Sequence, residues 1–138
     1  MDINAKIFEL VDYLDNKMNE DNNSLKQRIE YVNTKWDNMS DEKLEDSDRT
    51  LLALVAIDIC LKISEFENAK KWIDIYLHKE EYRPTICFHL GELEFHKGNF
   101  KEAYELFKEA QEISRNRELQ GREEYLDLVK NPSKYFSN

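Results

Sequence analysis

The chain has 138 residues, a formal net charge of −9, and charged side chains at 36% of its positions. This length fits a single domain, and with only three Gly and two Pro the chain has too few breakers for the many turns of a sheet protein. The acidic balance argues against binding to nucleic acid or to an anionic membrane surface.

The first predicted elements form an N-terminal helical hairpin over residues 1–38. Apolar residues recur at helical spacing over residues 2–20 and predict one amphipathic helix there. Three polar residues interrupt this pattern. Ser24 can then cap a second helix, whose apolar stripe continues to Trp36.

An acidic connector is predicted over residues 39–49. Six acidic side chains stand between residues 37 and 48 with a single base, Lys43. We interpret this segment as a solvated linker with a helical turn, and a docking patch for a partner is the alternative.

Two pairs of helices follow the connector. Residues 50–82 contain two apolar helical patterns separated by the short turn SEFEN. Residues 84–115 open on a proline, which favours a first helical turn, and contain two helices separated by Gly98-Asn99. A capping helix is predicted over residues 119–131, where the pattern ends before a second proline.

The second pair resembles the tetratricopeptide repeat (TPR). The residues that carry this resemblance are Leu90, Gly91, Gly98, Asn99, Phe100, Ala103, Phe107 and Ala110. In that family a small residue, here Gly91, lets the two helices of a repeat approach each other. A turn glycine then reverses the chain, and alternating Ala and aromatic residues pack the second helix.

The first pair matches the same signature more loosely. Ala69 stands 34 residues before Ala103, which is the period of this family, but Ile57 and Ser64 replace the two signature glycines. The resemblance implies an all-α fold: a right-handed stack of antiparallel helical hairpins, or TPR-like α-solenoid, with about seven helices in one domain. A bundle of unrelated hairpins is the alternative.

The resemblance also implies a binding site, because in this family the first helix of each repeat lines a concave groove for a peptide or partner helix. Carried over position by position, the partner-binding residues are Leu54, Asp58, Leu61, Thr85, Phe88, Glu92, Phe95 and His96. Aromatic side chains beside carboxylates suit a basic ligand with apolar anchors. Alternatively, Phe88 and Phe95 pack under a neighbouring element, for example the N-terminal hairpin.

We therefore expect a non-catalytic module that sequesters or escorts a protein partner, most simply a basic one. Small acidic proteins of this kind resemble immunity proteins that neutralise a basic toxin. A cytosolic secretion chaperone and a homodimeric scaffold subunit are the alternatives, so the chain is expected to be a monomer or a homodimer. Excess acid also serves solubility, and composition alone does not separate these roles.

Neither a cofactor nor a metal is expected. His89, Glu92 and His96 share a helix face at i, i+3 and i+7, but the HExxH spacing of zinc proteases is absent and ordinary groove positions are favoured. Cys60 and Cys87 fall in apolar helical patterns, which favours free, buried thiols over a disulfide. With no signal peptide pattern at its start, the chain is expected in the cytoplasm.

Overall fold

In the computed structural model, which describes residues 2–115 and 117–137, the chain forms seven α-helices and no strand among those residues. The helices are α1 (Ile3–Leu14), α2 (Asn22–Asp37), α3 (Arg49–Lys62), α4 (Phe66–Tyr76), α5 (Arg83–His96), α6 (Phe100–Ser114) and α7 (Glu123–Lys130), with short 3-10 helices at Asp41–Glu45 and Pro132–Lys134. The all-α prediction is confirmed. None of these helices has both the length and the apolar content that a membrane span requires.

The chain divides into two compact units, residues 1–78 and residues 79–138. The first unit contains α1 to α4, and the second contains α5 to α7. The single-domain organisation expected from length stays a prediction.

Both helices of the N-terminal hairpin differ at their ends from the sequence prediction. α1 ends at Leu14 rather than at residue 20, and Asn16 beyond it has a left-handed backbone with φ of 59°, a conformation in which asparagine is enriched. The N-cap of α2 is Asp21, not Ser24, because the Asp21 carboxylate accepts a hydrogen bond from the Ser24 amide at 2.8 Å. A carboxylate suits this place, since it also complements the helix dipole.

The core of the first unit is built around two tryptophans. The rings of Trp36 and Trp72 lie 5.4 Å apart between centroids, and the Trp72 indole N–H donates to the Asn33 side chain at 2.8 Å. The connector is anchored to this core through Lys43, which is buried. Its ammonium donates to the Trp36 carbonyl at 2.7 Å and lies 4.9 Å from the Trp36 ring, so the connector is not a fully solvated linker.

The second unit depends on a close approach of α5 and α6 at Gly91. A Cβ atom built on Gly91 would lie 2.7 and 2.8 Å from two atoms of the Phe107 ring, well inside van der Waals contact, and Phe107 is fully buried. At the turn between these helices, Gly98 has φ of 84°, which glycine adopts without steric cost. These are the two roles that the family resemblance implied for the glycines.

Candidate protein-binding surfaces

α3 presents a row of exposed apolar side chains that ends in a carboxylate. Leu51 and Leu54 are 44% and 38% exposed, and Asp58 follows one turn later on the same face and is also exposed. The rest of α3 is largely buried in the first unit. Because contiguous exposed apolar side chains mark interaction sites more often than isolated ones do, this face is a candidate binding surface.

A cavity of about 380 Å³ adjoins this row at the end of α1. It is lined by Leu14, Asp15, Asn16, Met18, Asn19, Val55 and Asp58. Met18 is exposed beside it, and the Lys62 ammonium donates to the Met18 carbonyl, which ties the loop after α1 to α3. We use the name α3 surface for Leu51, Leu54 and Asp58 together with Asp15 and Met18.

Three side chains of the predicted groove are buried and therefore do not present an open surface. Leu61 lies in the core of the first unit, so the expectation that it lines a groove beside Asp58 is wrong. In the second unit Phe88 is 5% exposed and Glu92 is 4% exposed. Both side chains are buried because Tyr125 of α7 packs onto this face of α5.

The remaining predicted residues of α5 border the same contact. Phe95 is half-buried, with its ring centroid 5.0 Å from that of Tyr125. His96 is exposed, and its Nε2 lies 3.2 Å from the Tyr125 hydroxyl. Thr85 is half-buried near the start of the helix. Phe88 and Phe95 thus pack under a neighbouring element, which is the alternative left open by the sequence. That element is α7.

The contact between α5 and α7 contains a buried polar group, the Glu92 carboxylate. The Tyr125 hydroxyl donates to Glu92 Oε2 at 2.9 Å. Arg122 reaches the same oxygen at 3.9 Å, and His89 Nδ1 lies 3.8 Å from the other oxygen. A buried carboxylate is thus surrounded by a hydroxyl donor and by two groups that carry or can accept positive charge.

These contacts determine the ionisation of the pair. Burial acts to raise the pKa of Glu92, but the contacts with His89, Tyr125 and Arg122 outweigh it, so the pKa lies below its ordinary value. Burial, and then the neighbouring carboxylate, raises the pKa of Tyr125. The stable arrangement at neutral pH is therefore a carboxylate that accepts a hydrogen bond from a neutral phenol.

Aromatic packing accompanies this polar contact. The Tyr125 ring stacks on Phe107 with 4.6 Å between centroids and meets Phe88 edge to face at 5.9 Å. Beyond α7, Tyr135 packs on Phe100 at 5.3 Å. The sequence showed an amphipathic α7 but contained no signal for the face on which it lies, so Tyr125 and its partner Arg122 were not predicted as site residues.

A metal site is not formed by the histidines of α5. The described residues, 2–115 and 117–137, contain no group of three or more His, Cys, Asp or Glu side chains placed to hold a metal ion. His96 contacts Tyr125 instead of joining His89 and Glu92.

The family model of Integrator complex subunit 8, TPR repeats, matches this chain over residues 4–135. No curated protein and no solved structure shows a significant match. The family match includes the N-terminal hairpin and α7, and so extends well beyond the segment on which the TPR resemblance was based. It confirms that resemblance.

Proposed function

Because the chain belongs to the family of Integrator complex subunit 8, TPR repeats, we propose that it binds one particular protein partner through the α3 surface and thereby sequesters or escorts it. TPR repeats generally mediate protein–protein interaction, and the family takes its name from a subunit of a protein complex. The observation that supports this site is the exposed row of Leu51 and Leu54 ending at Asp58.

The chemistry of the α3 surface favours a basic partner with apolar anchors. Leu54 and Met18 offer exposed apolar area, while Asp15 and Asp58 place two carboxylates at the adjoining cavity. A partner helix or loop with an aliphatic or aromatic anchor beside Lys or Arg would satisfy both features. At low ionic strength the net charge of −9 would also steer a basic partner toward the chain.

Among roles for such a module, we propose that of an immunity protein which neutralises a basic toxin by binding it. A cytosolic secretion chaperone would use the same surface. A homodimeric scaffold would instead bury the Leu51–Leu54 row against a second copy. The solution mass at low micromolar concentration separates this last case, since a monomer leaves the row available to a partner and a stable dimer favours the scaffold.

The test removes the apolar anchor and reverses the charge at once, in the double variant Leu54→Ala, Asp58→Lys. Both side chains are exposed, so the fold should be retained. The matched control is Glu30→Lys, the same charge reversal at an exposed position of α2 in the same unit.

Partners captured from the source cells are compared by quantitative mass spectrometry and then measured as purified pairs by calorimetry. We expect the wild type and Glu30→Lys to retain one protein. Its affinity for the double variant should be at least about 10-fold lower, which corresponds to a loss of about 1.4 kcal/mol or more of binding free energy. Equal affinity of the two variants for that partner would refute the proposed site.

A further inference from the structure

The face of α5 and α6 in the second unit is covered by a segment of the chain itself. We call residues 119–137 the C-terminal arm. Leu119, Tyr125 and Leu128 of this arm are buried in the same cluster as Phe88 and Phe107. The arm therefore lies on the helix face that the family resemblance had assigned to a ligand.

The covered face contains a buried polar contact in addition to its apolar ones. Glu92 is buried, and its Oε2 lies 2.9 Å from the Tyr125 hydroxyl and 3.9 Å from the Arg122 guanidinium. A buried ion pair generally stabilises a fold no better than apolar residues of similar volume. A buried polar contact of this kind instead fixes the register of the helix that packs on it.

The attachment of the arm is suited to exchange. Its helix, α7, has eight residues, and an isolated helix of that length is not stable in water, so an undocked arm gains the conformational entropy of an unfolded segment. The linker from α6 contains positive φ at Arg115 and at Gly121, and its backbone hydrogen bonds from Arg117 and Gln120 are 3.4 Å long.

We propose that the C-terminal arm is an exchangeable occupant of the α5–α6 face, and that this face binds in its place an amphipathic helix of a partner protein with the pattern Arg-x-x-Tyr-x-x-Leu. The pattern is that of Arg122, the N-cap residue of α7, followed by Tyr125 and Leu128, which lie about one turn apart on that helix and are buried. The Arg cation and the Tyr hydroxyl of this pattern contact the Glu92 carboxylate. The Tyr ring and the Leu side chain pack in the cluster that contains Phe88 and Phe107. This inference rests on the proposed protein-binding function and adds a second surface to it.

The probe is a fluorescein-labelled peptide with the sequence of residues 119–137, whose binding to the full chain is followed by fluorescence anisotropy. The wild-type arm competes with the peptide, because only chains whose arm is undocked can bind it. The apparent affinity of the peptide is therefore lowered in proportion to the fraction of chains with an undocked arm. Leu128→Ala on the chain weakens the resident arm by removing a fully buried side chain. Glu124→Ala, at an exposed position of α7, is the matched control.

We expect the peptide to bind the Leu128→Ala chain at least about 10-fold more tightly than the wild type, and the Glu124→Ala chain like the wild type. A peptide with Ala at the Arg122 position and Phe at the Tyr125 position should bind the Leu128→Ala chain several-fold more weakly than the unaltered peptide does. The unaltered peptide should likewise bind several-fold more weakly to a chain that has both Leu128→Ala and Glu92→Gln. Equal peptide affinity for the wild-type and Leu128→Ala chains would overturn the proposal and make the arm a fixed cap.

Helicity by circular dichroism shows whether the Leu128→Ala chain stays folded. If it unfolds, Tyr125→Phe replaces it, since this change keeps the ring and removes only the hydroxyl with its contacts to Glu92 and His96, and the expected gain in peptide affinity is then several-fold. Sedimentation measures the mass of the wild-type chain in solution. A stable dimer that is lost when residues 119–137 are removed would overturn the proposal, because the arm of a second copy would then be the occupant. Failure of the peptide to bind either chain would overturn the exchangeable arm. It would not count against partner binding at the α3 surface, because the Leu54→Ala, Asp58→Lys test uses neither the peptide nor α7.

Discussion

The close approach at Gly91 leads to a quantitative prediction for Gly91→Ala. The added Cβ would lie 2.7 and 2.8 Å from the Phe107 ring and 3.3 Å from Leu106 Cβ. The ring has little freedom to retreat, because it is fully buried and stacked on Tyr125. Overpacking of this kind costs about 1–3 kcal/mol, here near the upper end, whereas Gly to Ala inside a helix gains about 1 kcal/mol. We expect a net destabilisation of about 2 kcal/mol.

The assay is urea unfolding followed by circular dichroism, with Phe107→Leu and the double variant measured alongside. Phe107→Leu alone should destabilise, since it shrinks a fully buried side chain. If the Gly91→Ala cost comes from the ring contact, the double variant should be less destabilised than the two single effects added together. A neutral or stabilising Gly91→Ala would refute the reasoning, since helix propensity would then outweigh the contact.

Two further predictions concern pH and capping. Because the pKa of Glu92 is lowered below its ordinary value of 4.5 in the folded chain, its ionised form contributes stability that is present above pH 4.5 and is lost as the pH falls through the lowered value. The urea midpoint of the wild type should therefore fall more steeply below pH 4.5 than that of Glu92→Gln, and parallel curves would contradict this. For α2, Asp21→Ala should cost about 1 kcal/mol by thermal unfolding, whereas Ser24→Ala should be nearly neutral, and the reverse order would restore Ser24 as the cap.

Most of the helices could be predicted because their apolar periodicity coincides with their packing. The α6 pattern buries Ala103, Phe107 and Ala110 on one stripe, so sequence spacing and tertiary contact agree. The end of α1 could not be placed in this way. Asn16 takes the left-handed conformation, which asparagine tolerates without requiring it, while the apolar spacing continues as far as Met18.

The exposure of the proposed binding residues was harder to predict, because it depends on tertiary packing. Spacing places Phe88, Glu92 and His96 on one side of α5, but whether that side is open depends on where α7 packs. The sequence of α7 indicates an apolar face with Tyr125 and Leu128 without specifying the helix that receives it. Only the packed structure shows a carboxylate of α5 beside a hydroxyl of α7.

The arm also bears on the charge of the expected partner. Net charge is a weak argument, because exposed charges farther apart than a Debye length of about 8 Å are largely screened at physiological salt. Glu92 is a stronger one, since it is desolvated and its resident occupant supplies both a hydroxyl and the guanidinium of Arg122. On the α3 surface, Asp58 likewise stands beside exposed leucine. A partner that combines a cation with an apolar anchor would therefore suit either surface, whatever the total charge of the chain.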